Sequence, residues 1–245
     1  MSTLVVGASG ATGKLLVKNL LEKGECVKVI VRDTAILPDE LVGNKNITII
    51  KANILSLSTP ELISYVKGCN TIVSCLGHNL TFKGIYCSPQ RLVTLAVKRL
   101  CLVIKQLAPT KKIKFILMNT TGNKNALAHE KTSIMQSCVV GLIRYLIPPH
   151  ADNEQAARYL QSEIGFHSES IQWVVVRPDS LTNDTVTSPY SVYPSPIRSA
   201  IFDAGKTSRI NVAHFMSQLI IDSASWNKWQ GTMPVIYNQD CNNNI

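Results

Sequence analysis

Residues 4–14, "LVVGASGATGK", constrain the fold more than any other part of the chain. An apolar run enters this stretch, a helix-forming run leaves it, and Gly7, Gly10 and Gly13 lie between them at regular spacing. Each glycine answers a separate need. Gly7 turns the chain sharply off a strand, Gly10 removes a side chain where an anion approaches the backbone, and Gly13 lets a helix pack closely on a sheet. A helix that starts here offers unpaired N–H groups and the positive end of its dipole. The stretch therefore predicts a strand–loop–helix cradle for the pyrophosphate of a dinucleotide. "ASGATGKL" also approaches a P-loop, but the position that must offer magnesium a hydroxyl is Leu15, which excludes a kinase or ATPase.

Beyond the cradle, strand-like and helix-like segments alternate. Apolar strands are expected at 3–8, 26–33, 46–54, 70–77, 113–122, 171–178 and 233–238, and helices at 12–24, 61–68, 89–107, 152–164 and 211–222. Gly24 is the expected C-cap of the first helix. Continuous apolar runs suit strands covered on both faces, and regular alternation implies a parallel sheet with helices on either side. The expected class is α/β, a doubly wound parallel sheet in one domain spanning 1–245. Two stretches interrupt the pattern, at about 123–149 and 184–206. Insertions at the carboxyl ends of such strands build the substrate side. The first carries an apolar stripe of Ile134, Val139, Leu142, Ile143 and Leu146, which packs on the core, forms a subunit interface or caps a substrate.

The second strand bears on which dinucleotide is held. Asp33 stands where an acidic residue would bind the ribose hydroxyls of NAD, whereas Arg32 just before it can grip the 2′-phosphate of NADP. The balance favours NADP over NAD, against the bland alternative of a surface Arg32–Asp33 pair. A composition of 45% apolar and 17% charged residues excludes a disordered chain. The net charge of +9 is spread out, its densest cluster being Lys111, Lys112 and Lys114, so a solvated basic surface is expected and no nucleic-acid partner. Seven cysteines form no C-x-x-C pair and read as reduced thiols of a cytoplasmic protein. The histidines and cysteines show no metal-ligand spacing. Residues 133–147 are too few to span a bilayer and include Arg144, so no membrane association is expected, nor a signal segment ahead of Leu4.

Several blocks together resemble a known family. "GASGATGK", "VIVRD", "ANIL", "SCLG", "LMNTTG", "WVVVRPDSLTND" and "TSRINVAHFM" follow one another through nearly the whole chain. In this order they resemble the atypical short-chain dehydrogenase/reductase group, and within it the NAD(P)H-binding, NmrA-like and biliverdin-IXβ/flavin-reductase-like branch. The resemblance implies a Rossmann fold with strand order 3-2-1-4-5-6-7 and a bound nicotinamide dinucleotide. It implies that Gly7, Ser9, Gly10, Ala11, Thr12 and Gly13 surround the pyrophosphate and that Arg32 meets the 2′-phosphate. Asn53 and Ile54 would flank adenine, where the family usually has Asp and an aliphatic residue. Cys75, Leu76 and Gly77 would line the adenosine ribose, Asn119, Thr120 and Thr121 would lie under the nicotinamide ribose, and Pro178 and Ser180 would close the nicotinamide end.

Classical members of that group use a Tyr-x-x-x-Lys pair with a Ser. None of Tyr65, Tyr86, Tyr145, Tyr159, Tyr190, Tyr193 and Tyr237 has a lysine four residues later. The Tyr and Lys positions align with Pro149 and Asn153, and the Ser position with Thr120 or Thr121. Ordinary alcohol or ketone dehydrogenation is therefore not expected. The flavin- and biliverdin-reducing branch lacks the pair as well, and a flavin, quinone or linear tetrapyrrole can take hydride on a conjugated ring system and its proton from solvent. The expected activity is NADPH-dependent reduction of such a small-molecule acceptor, catalysed largely by positioning. Candidate polar groups are Thr120, His78, Asn153 and His150. His78 otherwise reads as a solvated loop residue, and Asn153 as a helix cap. Two alternatives stand beside the enzyme: a redox sensor that binds the dinucleotide and a protein partner, as NmrA-like relatives do, and an assembly factor that holds the cofactor structurally.

Overall fold

The structure is a computed structural model that describes residues 2–78, 90–125, 128, 130, 148–199 and 201–239. Its frame is a sheet built on β1 (Ser2–Val6), β2 (Cys26–Val31), β3 (Ile47–Lys51), β4 (Cys69–Ser74), β5 (Ile113–Met118), β6 (Ile171–Pro178), β8 (Tyr190–Tyr193) and β10 (Val235–Asn238). The order is β3-β2-β1-β4-β5-β6-β10-β8. The first seven are parallel neighbours and reproduce the expected order, β10 being the seventh strand of the sequence reading. β8 is an addition, pairing antiparallel with β10 in the register Val235↔Tyr193 to Asn238↔Tyr190. A separate parallel pair joins β7 (Ser180–Thr182) to β9 (Lys206–Ser208) at either end of the stretch that interrupts the alternation, 184–206, and β8 lies within that stretch.

The two-residue period of the strands feeds two cores. Leu4, Val6, Ile30, Ile72, Phe115, Leu117, Trp173 and Val175 point to one face, Val5, Val29, Val31, Val73, Ile116, Val174 and Val176 to the other. On the first face lie α3 (Thr59–Val66), α4 (Leu92–Leu107) and α5 (Pro148–Tyr159), the last continuing as a π-helical turn, Leu160–Ile164. On the second lie α1 (Ala11–Glu22), α6 (Arg209–Ile221) and α7 (Ser223–Trp229), whose Trp226 and Trp229 are buried. A one-turn helix, α2 (Asp39–Val42), precedes β3.

Helix ends follow local chemistry in some places and tertiary contacts in others. Gly24 ends α1 at φ +78°, the left-handed conformation expected of it. Ser58 and Glu61 form a capping box that starts α3 two residues earlier than expected. Arg91 precedes α4 without capping it through its side chain, and α4's first amides are satisfied from α5 instead. Asn153 lies inside α5, since that helix starts at Pro148, so its expected capping role is corrected. The apolar stripe from Ile134 to Leu146 lies outside the described residues. No helix of the described residues is long and apolar enough to cross a membrane.

Candidate functional site

β1 pairs with β2 on one side and β4 on the other, so the crevice beyond its carboxyl end is where the strand order reverses. Gly7 leaves β1 at φ +80°, and a Cβ there would sit 2.6 Å from the carbonyl carbon of Cys75. That contact brings the loop after β1 against the loop after β4. Gly10 donates its N–H to the Gly7 carbonyl at 3.0 Å, and a Cβ on Gly10 would lie 3.2 Å from the same oxygen. A Cβ on Gly13 would fall on that oxygen outright, so α1 can approach the strand only with glycine there. Gly10 is extended before α1, no side chain caps the helix, and its first turn holds no acidic residue. Ser9, Gly10 and Ala11 are half-buried or exposed, Thr12 and Gly13 buried. An anion above this helix end meets unopposed N–H groups and the positive dipole end.

Arg32 and Asp33 follow β2, and both are exposed. Among the described residues neither forms an ion pair, so the surface pair of the bland reading is not formed. The turn that carries them is fixed by Ala35 N–H to Arg32 carbonyl at 2.8 Å and by Lys51 Nζ to Ala35 carbonyl at 2.6 Å. Asn53 is exposed and its Oδ1 accepts the Leu55 N–H at 3.0 Å, whereas Ile54 is buried in the core. Cys75 and Leu76 are half-buried and Gly77 is exposed. Burial pushes the Cys75 thiol up to about 12.

The ends of β4 and β5 converge on α5. His78 is no solvated loop residue: its side chain is 4% exposed, and Nε2 lies 2.8 Å from Oδ2 of the fully buried Asp152. Asp152 also accepts the N–H groups of Val93 at 2.8 Å and Thr94 at 2.9 Å, while its carbonyl accepts the Thr94 hydroxyl at 2.8 Å. Burial pushes the Asp152 carboxyl up, but the hydrogen bonds from His78, Thr94 and Val93 outweigh it and hold the group below the usual carboxylate range. On the next residue, the Asn153 carbonyl accepts from Asn119 Nδ2 at 2.8 Å. Asn119 Oδ1 accepts the Thr120 N–H at 2.9 Å and Asn123 Nδ2. His150 packs over Gly122, where a Cβ would meet its Nε2 at 3.0 Å. Pro149 is buried.

The end of β6 closes the far side. Thr121 N–H donates to the buried Pro178 carbonyl at 3.1 Å, and the exposed Ser180 donates to the Gly205 carbonyl at 3.1 Å. Burial raises the Asp179 carboxyl despite hydrogen bonds from Gly205, Thr121 and Ser180. Arg177, fully buried, forms a two-pronged pair with Glu130 at 2.6 and 3.0 Å. Sequence reasoning passed over Asp152, Arg177, Glu130 and Asp179. The signal for Arg177 was a charge in the apolar run "VVVRP"; Asp152 read only as the start of its own helix. Among the described residues no three His, Cys, Asp or Glu side chains are grouped to hold a metal.

The NAD(P)H-binding family model matches residues 7–223. No curated protein sequence matches the chain. Several solved structures share the fold. A short-chain dehydrogenase/reductase from Veillonella parvula, in complex with NADP, aligns over 97% of this chain and 94% of its own at 16% identity and a TM-score of 0.67. An anaerobilin reductase from Escherichia coli aligns over 98% of both chains at 13% identity and a TM-score of 0.67. A candidate NADH-flavin reductase from Streptococcus pneumoniae aligns over 98% of this chain and all of its own at 15% identity, with a TM-score of 0.67. At these identities the likeness is one of fold, and the family rests on the sequence match, which takes in the glycine cradle and the ends of β2 to β6: the chain belongs to the NAD(P)H-binding family.

Proposed function

We propose that the protein is an NADPH-dependent reductase of a flavin, quinone or other planar conjugated acceptor, working as one domain over 1–245. The observation that carries this reading is the glycine cradle. Gly7 and Gly13 leave no room for a Cβ and Gly10 leaves little, and the end of α1 is uncapped and free of acidic side chains. These residues fit a pyrophosphate. When bound, the cofactor supplies a hydride. The chain's part is to hold it: Gly10 and Ala11 at the phosphates, Arg32 at the 2′-phosphate, Cys75 to Gly77 along the adenosine side, and Asn119 to Thr121 with Pro178 and Ser180 at the far end. The acceptor reading draws support from Pro149 and Asn153, which stand where a phenol and an ammonium would serve carbonyl chemistry. It is also in keeping with the names of the anaerobilin and flavin reductases that share the fold.

Titration with NADPH and NADH, followed by turnover with FMN, quinones and biliverdin, tests the reading. NADPH is expected to bind more tightly, and Arg32→Ala to cost NADPH about 10- to 100-fold in affinity while sparing NADH, the worth of a hydrogen bond to a charged group. Absence of binding below roughly millimolar refutes the cofactor reading; NADH binding at least as well refutes the NADP assignment. The lack of the Tyr–Lys pair also suits a sensor, which would bind oxidised and reduced cofactor alike and turn over none of these acceptors.

A further inference from the structure

We propose that His78 and Asp152 form a proton-transfer pair at this site, His78 as the catalytic acid that protonates the acceptor and Asp152 as its positioning residue. The proposal rests on the reductase reading above and assigns the proton that this reading leaves to solvent.

Asp152 is the fixed member of the pair. Its side chain is fully buried, and the first amides of α4 point at it: Val93 N–H at 2.8 Å and Thr94 N–H at 2.9 Å. A buried carboxylate at a helix N-terminus is a fixed charge that cannot reorient toward solvent. The Thr94 hydroxyl bonds the Asp152 carbonyl at 2.8 Å, so α4 and α5 are locked together around it. His78 Nε2 lies 2.8 Å from Oδ2. An ionised carboxylate only accepts, so Nε2 carries the hydrogen, and Nδ1 is the nitrogen that takes up or releases a proton. The same arrangement, a carboxylate fixing tautomer and ring orientation, is how histidine acids and bases are prepared for transfer.

Location supports the assignment. His78 lies three residues beyond Cys75, whose carbonyl abuts Gly7 of the cradle. The residue after Asp152 is Asn153, whose carbonyl holds Asn119, the first of the residues carried over to the nicotinamide ribose. The pair therefore joins the loop after β4, which carries Cys75 to Gly77, to α5, which carries Pro149 and Asn153. The titratable groups nearest the pair in sequence are Cys75 beyond the end of β4, whose thiol burial keeps protonated, Arg91 ahead of α4, and His150 and Glu154 on α5; Lys98, Arg99, Cys101 and Lys105 lie further along α4 and Arg158 and Tyr159 further along α5.

The bound dinucleotide would supply the hydride, and with it two electrons, being oxidised as the acceptor gains a C–H or N–H bond and is reduced. The resulting anionic oxygen or nitrogen takes the Nδ1 proton of the His78 imidazolium. His78 is left as the neutral Nε2–H ring facing Asp152, which stays ionised, and Nδ1 regains a proton from water.

The test uses the full-length protein, its His78→Gln and Asp152→Asn variants, and three measurements: NADPH titration, the pH profile of turnover with FMN, menadione and biliverdin, and imidazole ¹⁵N shifts without cofactor. In the unaltered protein the shifts are expected to show an Nε2-protonated His78, and Asp152→Asn to move the ring toward the Nδ1-protonated form. His78→Gln is expected to lower turnover about 100-fold or more and to remove the fall in rate at high pH, with NADPH affinity within about threefold. Melting curves for both variants separate loss of α4 capping from loss of proton transfer, and His78→Gln leaves that cap in place. Turnover by His78→Gln at the unaltered rate and with an unaltered pH profile overturns the proposal, as does an Nδ1-protonated His78 in the unaltered protein. NADPH binding without reduction of any of the three acceptors overturns it too. Failure to bind NADPH at all is a different result, the failure of the reductase reading itself.

Discussion

Replacing either partner of the buried Arg177–Glu130 pair should destabilise the protein more than any exposed ion pair could. Arg177 is fully buried and uses all three nitrogens of its guanidinium: Nε donates to the Met233 carbonyl at 2.8 Å, Nη1 to the Asn123 carbonyl at 2.8 Å and Glu130 Oε2 at 3.0 Å, and Nη2 to Glu130 Oε1 at 2.6 Å. Glu130 Oε2 also accepts the Asn125 N–H at 2.7 Å. Glu130→Gln keeps the shape but leaves a buried guanidinium uncompensated; Arg177→Met strands the carboxylate and the Asn123 and Met233 carbonyls. Breaking such a pair from one side costs about 3–5 kcal/mol, a large part of the roughly 5–15 kcal/mol that holds a domain folded. At about 2–4 °C per kcal/mol for a chain of this size, the melting temperature should fall by about 6–20 °C. The double variant removes both charges and should lose clearly less than the sum of the singles. Urea unfolding of the four proteins measures each loss. Single losses under about 1 kcal/mol, the worth of a solvated pair, or strictly additive losses would refute the claim that this is a desolvated, mutually dependent pair.

Three further outcomes are expected. Gly13→Ala places a Cβ on the Gly7 carbonyl and should cost about 1–3 kcal/mol by overpacking, with at least tenfold weaker NADPH binding by calorimetry; unchanged affinity would mean the cradle tolerates a shifted α1. Because the Asp152 carboxyl titrates below its unfolded value, its contribution is complete above about pH 4 and lost as pH falls through the folded value. The stability gap between the unaltered protein and Asp152→Asn, followed by denaturant unfolding from pH 7 to 3, should therefore narrow in acid; a gap that widens there contradicts the sign. Alkylation at pH 8 should modify the exposed Cys26 and spare the buried Cys101 and the half-buried Cys75, whose thiols desolvation pushes up, in the latter case to about 12; early labelling of Cys75 on peptide mapping would show that its loop opens.

What was legible in the sequence is what neighbouring residues determine together. The strands announced themselves because both faces are covered, so Val5 can be apolar like Leu4 and Val6, and Val174 like Trp173 and Val175. The cradle was legible because Gly7 and Gly13 answer to each other within one loop. β8 was not: its residues are all half-buried, it sits at the sheet edge against β10, and its Pro- and Ser-rich flanks read as loop. The polar groups of the candidate site failed for a related reason, since their partners are remote in sequence. Arg177 stood out as a charge in an apolar run, but nothing local points to Glu130. Asp152 reads in the sequence only as the start of its own helix. It lies inside α5 and caps α4, across a separation of 58 and 59 residues. That displacement bears directly on function. A carboxylate capping its own helix would spend its acceptors on its own first turn. Placed inside the helix and aimed at the start of another, Asp152 reaches His78 with the same oxygen that accepts from Val93, so one buried charge fixes both the helix packing and the imidazole.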